Sequence, residues 1–277
     1  MSPDDYCQQK TAQSGSSFYY SFLFLPTERR RAITALYAFC REVDDTVDEC
    51  TDVTIARTKL AWWRKEVAAM GSGVPSHPVT KALQPHMATF SLESEHLLAI
   101  IDGMEMDLDQ TRYLDFPGLQ KYCWHVASVV GILSAKIFGV TNPQTLAYAE
   151  KLGLAFQLTN IIRDVGEDAR KGRIYLPVNE LQQFNVTAAD ILNARHSENF
   201  EKLMQFQATR AQNYYDEAFA LLPKEDRRAQ RPGLIMAAIY RAVLKEVEHD
   251  GFHVLNQRIS LTPIRKLWLA WITYVRG

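Results

Sequence analysis

Apolar residues recur along most of this chain at steps of three and four, the period of a helix that turns one face inward. Ile33, Leu36, Tyr37, Cys40, Val43 and Val47 form one such stripe, with Thr27 placed to cap its start. Leu60, Trp63 and Val67 mark a second within residues 55–70. Leu154, Leu158, Ile161, Ile162 and Val165 mark a third, and Ile235, Ala238, Ile239, Ala242, Val243 and Val247 a fourth, with Tyr240 beside it. Helical patterning also covers residues 80–89, 93–107, 116–137, 187–194 and 198–222. The Gly- and Pro-bearing stretch 71–78 reads as a surface connection rather than a domain boundary. No segment alternates as a strand does. The pattern predicts one all-α domain over residues 1–277, with helices enclosing a central apolar cavity.

Some polar residues break the stripes where a break is costly. Asp44 lies beside the apolar stripe of its helix, an expensive place for a carboxylate unless it is paired or bound to metal. Asp48 follows four residues later, and Arg41 and Tyr37 lie one and two turns back on the same face. Asp45 is rotated about 100° away, as a bystander or a secondary ligand. The arrangement recurs at Asp164 and Asp168, preceded by Asn160 and Gln157 and surrounded by Arg163, Arg170, Lys171 and Arg173. One acidic helix end with basic neighbours is ordinarily a solvated surface. Two of them imply more. Four carboxylates around one cavity repel unless a multivalent cation neutralises them. Mg²⁺ takes a few carboxylate oxygens together with the oxygens of a substrate phosphate. The pattern therefore reads as a metal–diphosphate clamp, with Asp44, Asp48, Asn160, Asp164 and Asp168 as metal ligands. Asp102, Glu105 and Asp109 share a face that reads as solvated and outside the site. Gly166 inside the third helix costs about 1 kcal/mol relative to Ala, which predicts a loosened last turn where backbone approaches a ligand.

Bulk properties narrow the function. A net charge of −1 gives no electrostatic case for nucleic acid. Cys7, Cys40, Cys50 and Cys123 have no Cys-x-x-Cys spacing, which points to reduced thiols in a cytoplasmic protein. The N-terminal residues lack the basic and apolar regions of a signal peptide. No segment approaches the roughly 18 apolar residues of a membrane span. Residues 266–276 are short, aromatic and flanked by cations, and they fit either a final helix packed on the core or an interfacial segment at the inner membrane face. Oligomeric state is not legible.

Residues 14–18, 44–48, 122–127, 157–168 and 173–177 together resemble the squalene/phytoene synthases, head-to-head prenyltransferases of the isoprenoid synthase fold. The likeness runs nearly end to end, and residues 14–26 are most like the bacterial presqualene diphosphate synthases of hopanoid pathways. The resemblance implies Mg²⁺-dependent condensation of two prenyl diphosphates, farnesyl diphosphate giving presqualene diphosphate or squalene. A phytoene-type synthase using geranylgeranyl diphosphate is the alternative. A non-catalytic scaffold of the same fold would have eroded acidic motifs, whereas all four aspartates stand here. By the same resemblance, Ser17, Phe18, Gln157 and Asn160 contact substrate, and Arg41 and Arg163 donate to the departing diphosphate. Phe18, Tyr37 and Tyr240 offer ring faces to a carbocation, and residues 173–177 form a lid. Arg258, with Arg265 and Lys266, forms a basic cluster that is either solvated or a second diphosphate contact. NADPH is implied only if the reaction continues to squalene.

Overall fold

The computed structural model describes residues 1–13, 21–22 and 24–276. Ser17 and Phe18 lie outside the described residues. The first half of the chain forms α1 (Pro3–Gln13), α2 (Thr27–Asp48), α3 (Val53–Ser72), α4 (Pro78–Thr89), α5 (Ser94–Asp109) and α6 (Phe116–Cys123). A π-turn, Trp124–Ser128, joins α6 to α7 (Val129–Phe138). The second half forms α8 (Gln144–Arg170), the short α9 (Val178–Gln183) and α10 (Ala188–Leu192), α11 (Glu198–Leu221), α12 (Arg231–His249) and α13 (Pro263–Arg276). The only β-type pairing among the described residues is an isolated parallel bridge between Arg112 and Ile174. The all-α expectation is met.

Two buried carboxylates set where helices begin. Glu66, on α3, accepts from the backbone N–H groups of Ser76 and His77 and from the Ser76 and Thr80 hydroxyls. It thereby ties α3 to the turn that leads into α4, whose first N–H group, that of Val79, is met by the His77 ring. Asp226 likewise holds the turn before α8, accepting from the Thr141 and Asn142 N–H groups and from the hydroxyls of Thr141 and Thr145. At the start of α2 the sequence reading was off by one residue. Thr27 is the first helical residue, Pro26 occupies the cap position, and no side chain caps the turn.

The buried apolar side chains fall into two groups. One gathers α1 to α5 and α7 around Leu36, Phe39, Leu60, Leu83, Leu97 and Ile101. The other gathers α6, α8, α11 and α12 around Leu158, Ile162, Leu203, Tyr215 and Leu244. Val126, in the π-turn, packs against both. Each fully buried Leu or Phe of this kind contributes roughly 1.5–3 kcal/mol through burial alone. α8 runs between α7, α11 and α12, so the second acidic motif sits on a helix enclosed by three others.

Gly153 explains how α8 comes so close to its neighbour, since a Cβ there would lie 2.5 Å from the Ala127 carbonyl oxygen. Gly166 has a similar reason, which corrects the ligand-approach expectation. α8 remains helical through Arg170, and a Cβ at Gly166 would lie 2.1 Å from the Leu255 carbonyl oxygen. Close packing against the chain that follows α12 is what demands glycine.

Candidate active site

An apolar cavity of about 190 Å³ lies between the two buried groups. α2 contributes Tyr37 and Cys40, the π-turn Val126 and Ala127, α8 Phe156, Gln157 and Asn160, and α12 Met236 and Tyr240. Tyr37, Gln157, Asn160 and Tyr240 were all expected at the site and meet here. The described volume is below the roughly 300–1,000 Å³ usual for ligand pockets. Ser21 and Phe22, which directly follow the undescribed residues 14–20, form part of its wall. A larger crevice of about 510 Å³ opens between α1 and α2, but Asp4, Asp5, Arg30 and Arg31 line it and none of the expected site residues does.

The two acidic motifs approach one another across this region. Asp48, ending α2, accepts from Lys171 Nζ at 2.7 Å and Arg173 Nη1 at 2.9 Å, both just past the end of α8. Burial opposes charge on Asp48, but the Lys171 and Arg173 hydrogen bonds prevail and hold its carboxyl below the usual range. Asp44 is different. A third of its side chain is accessible, yet protein crowds it, and burial pushes its carboxyl up to about 6. Arg41 opposes that rise, while Asp48, Asp45 and Asp107 add to it. Asp168 is pushed up to about 7, by burial first and by Asp164 next, with Lys171 and Arg173 opposing. Groups held this way favour a cation that can neutralise them together.

Arginines meet the remaining acidic oxygens. Arg41 reaches Asp44 at 2.7 Å and Asp45 at 2.6 Å. Lys10 of α1 also holds Asp45, at 2.8 Å. Arg163 binds Asp164 through two nitrogens, at 2.7 and 2.5 Å. Arg258, on the loop between α12 and α13, reaches the same carboxylate at 3.0 Å. Lys266 completes this positive group, its ammonium pulled down by burial and by the nearby Arg163 and Arg258. Arg265 and Arg170 do not join it. Arg265 pairs with Glu246 at 2.6 Å, and Arg170 donates to the Leu255 carbonyl at 3.3 Å.

Asn160 supplies the sharpest fit to a hard cation. Its amide nitrogen lies 3.4 Å from Gln157 Oε1, while its Oδ1 is buried with no hydrogen-bond partner among the described residues. A buried carbonyl oxygen left open is costly, and a metal or a donor from a ligand would satisfy it. Among the described residues no three acidic, His or Cys side chains gather into one closed cage. The carboxylates stand as two pairs, the arrangement expected when substrate phosphate supplies the remaining oxygens.

Asp107 was missed by the sequence reading. It is buried on α5 and accepts from Tyr122 at 2.9 Å and Tyr175 at 2.8 Å. Burial raises its carboxyl, against the pull of the Tyr175 hydroxyl and Arg173. Its charge also adds to the rise of Asp44 and Asp168. The clue was available, because Asp107 continues the buried stripe Leu97, Ile100 and Met104, as Asp44 does on its own helix. Asp102, Glu105 and Asp109, on the other face, pair with Arg57 and Arg64, as a solvated face should. Residues 173–177 form a pinned strap rather than a free lid. Ile174 N–H donates to Thr111 and Val178 N–H to Tyr113, and Ile174, Tyr175 and Leu176 are buried.

A family profile described as squalene/phytoene synthase matches residues 11–265. A phytoene synthase of Arthrospira platensis is 36% identical over 98% of this chain and 92% of its own length. A 15-cis-phytoene synthase of Synechocystis is 35% identical over 96% of this chain and 83% of its own. Among solved structures, a dehydrosqualene synthase superposes with a TM-score of 0.87 at 28% identity, over 99% of this chain and 96% of the other. A squalene synthase of Alicyclobacillus acidocaldarius gives 0.79 at 28% identity, over 90% and 94%. The chain belongs to the squalene/phytoene synthase family, prenyltransferase-type enzymes that join prenyl diphosphates head to head.

Proposed function

We propose that this protein condenses two molecules of geranylgeranyl diphosphate head to head into a phytoene-type C40 product, with release of both diphosphates. The observation that supports the chemistry is the pairing of Asp48 with Lys171 and Arg173, just past the second acidic motif, near an apolar cavity lined by Asn160, whose Oδ1 is left open. The C20 donor, rather than the farnesyl donor expected from residues 14–26, is supported by relatives named phytoene synthases at 35–36% identity over nearly the whole chain.

Asp44 and Asp48 on one side, and Asp164, Asp168 and Asn160 on the other, would hold Mg²⁺. Bound there, the metal draws charge onto a departing diphosphate. Arg41 and Arg163 exchange their aspartate partners for diphosphate oxygens, the geometry guanidinium groups suit. Arg258 and Lys266 offer cations to a second diphosphate. Tyr37, Phe156 and Tyr240 present ring faces to the allylic carbocation and keep water from it. Asp107 holds the Tyr122 and Tyr175 hydroxyls as donors, leaving oxygen lone pairs through which a proton can pass toward a carboxyl that burial already biases to accept it. Loss of two diphosphates and two protons balances the reaction without a hydride, so NADPH enters only if a cation is reduced instead.

Incubation with Mg²⁺ and either C15 or C20 prenyl diphosphate, with and without NADPH, tests this directly. A phytoene-type product from the C20 donor, unaffected by NADPH, is expected. Presqualene diphosphate or squalene from the C15 donor would instead select the farnesyl reading, which the likeness to the dehydrosqualene synthase structure favours.

A further inference from the structure

One face of the molecule carries an apolar row that the fold does not cover. α13 packs against α12, with Ala270 buried and Leu269 and Tyr274 against the core. Outward it turns Ile264, Leu267, Trp268, Trp271 and Val275, exposed by 80, 47, 60, 54 and 60%. Their spacing keeps them on one side of the helix. Phe24, also exposed, stacks on Tyr274 at 4.4 Å and extends the row. Single exposed apolar side chains are ordinary, whereas a continuous row with two tryptophans marks an interaction surface.

The surroundings of this row are cationic. A crevice of about 480 Å³ beside Tyr274 is lined by Arg29, Arg228 and Arg231 as well as Phe24. Arg231 lies over the Tyr274 ring at 5.1 Å, and Arg29 donates to the Ile137 carbonyl at 2.6 Å. Arg228 is exposed and, among the described residues, has no carboxylate partner. The crevice's one acidic group, Glu225, accepts from Asn142 at 2.9 Å. Ser21 and Phe138 line this crevice and the apolar cavity alike, so the deep end of the cavity approaches the same face.

We propose that this face docks on an anionic lipid bilayer, with α13 lying in the interfacial zone and the arginine crevice set against lipid phosphates. A helix of 14 residues is about 21 Å long, too short to cross the hydrocarbon but sufficient to lie flat on it. Tryptophan favours the headgroup level, and the exposed Arg228, with the half-buried Arg29 and Arg231 behind it, complements lipid better than a second copy of the same positive surface. The apolar end of the cavity would then sit over lipid, giving water-insoluble chains a route that avoids solvent. Docking stands on the surface itself; only this consequence rests on the proposed reaction.

The test is sedimentation of the full chain with phosphatidylcholine vesicles, with and without phosphatidylglycerol, at low and high salt. Binding should require the anionic lipid and weaken with salt. Trp268→Ser with Trp271→Ser should reduce it about tenfold or more, and Arg228→Glu should reduce it about fivefold or more and blunt the salt dependence. Leu267→Lys provides an independent lesion should the tryptophan pair fail to fold. Product formation from detergent-dispersed substrate should stay unchanged in all three, which separates failure of docking from failure of the catalytic reading. No vesicle binding, or equal binding by wild type and the variants, would overturn the proposal. So would light scattering that shows a dimer dispersed by the tryptophan substitutions, because the row would then be a self-interface.

Discussion

Asp226 and Asp44 are both carboxylates crowded by protein, the first buried and the second a third accessible, yet their surroundings drive them in opposite directions. Burial works against charge on Asp226, but donors from Thr141, Thr145 and Asn142 surround it and hold its carboxyl down to about 2. Glu66, ringed by Ser76, Thr80 and His77, is likewise held to about 2. Asp44 and Asp168 have partial or distant cations and acidic neighbours, and they rise to about 6 and about 7. The difference teaches how to tell a structural carboxylate from one kept for chemistry. A complete set of donors belongs to the fold, whereas an unanswered charge waits for a cation.

The comparison breaks most sharply by neutralising one member of each class. Asp44→Asn or Asp168→Asn should lower turnover by about a thousandfold or more, since metal-assisted departure is worth several kcal/mol. Thermal unfolding of these variants should match or exceed wild type, because a repelled charge has gone. Asp226→Asn should do the reverse. It sets an amide against several donors and should cost about 2–3 kcal/mol of stability, read by denaturant unfolding, while turnover of the folded protein stays within a few-fold. Asp107→Asn lies between the classes, and a ten- to hundredfold loss of turnover is expected as one of the two tyrosines loses its acceptor and faces an amide NH2 instead.

The smallest effect is on pH dependence. With metal chelated, the depressed groups Glu66 and Asp226, both near 2, contribute stability that is present above their ordinary values and lost as pH falls toward 2. The raised groups Asp44 and Asp168, near 6 and 7, contribute stability that is full below their ordinary value and lost as pH rises through 6 to 7. Stability of the metal-free protein should therefore peak around pH 4, between the ordinary values of the two classes. Asp168→Asn should flatten the alkaline side alone, and a pH series of urea midpoints would reveal it.

Much of this was legible in the sequence because helices report themselves through periodicity. Asp44, Asp48, Asp164 and Asp168 stood out as polar groups at helical spacing beside buried stripes, and in the fold Asp48 meets Lys171 and Arg173, just past the second motif. Tyr37, Gln157, Asn160 and Tyr240 followed from the same faces. What escaped depends on contacts between distant segments. Asp107 gains its meaning from Tyr122 and Tyr175, far along the chain. Gly166 looked like an opening for ligand, but the Leu255 carbonyl is what fills the space beside it. The π-turn at Trp124–Ser128 leaves no periodic trace short enough to detect, and the carboxylate that holds the turn before α8, Asp226, lies more than eighty positions away.

The central claim is that both acidic pairs act on one metal-bearing diphosphate. Calorimetric titration with a non-reactive thiolodiphosphate analogue of geranylgeranyl diphosphate, with and without Mg²⁺, tests it in wild type, Asp44→Asn and Asp168→Asn. Tight binding should require Mg²⁺ and weaken by about a hundredfold in each variant, one from either motif. Metal-independent binding, or a variant lacking one motif that binds as wild type does, would contradict it.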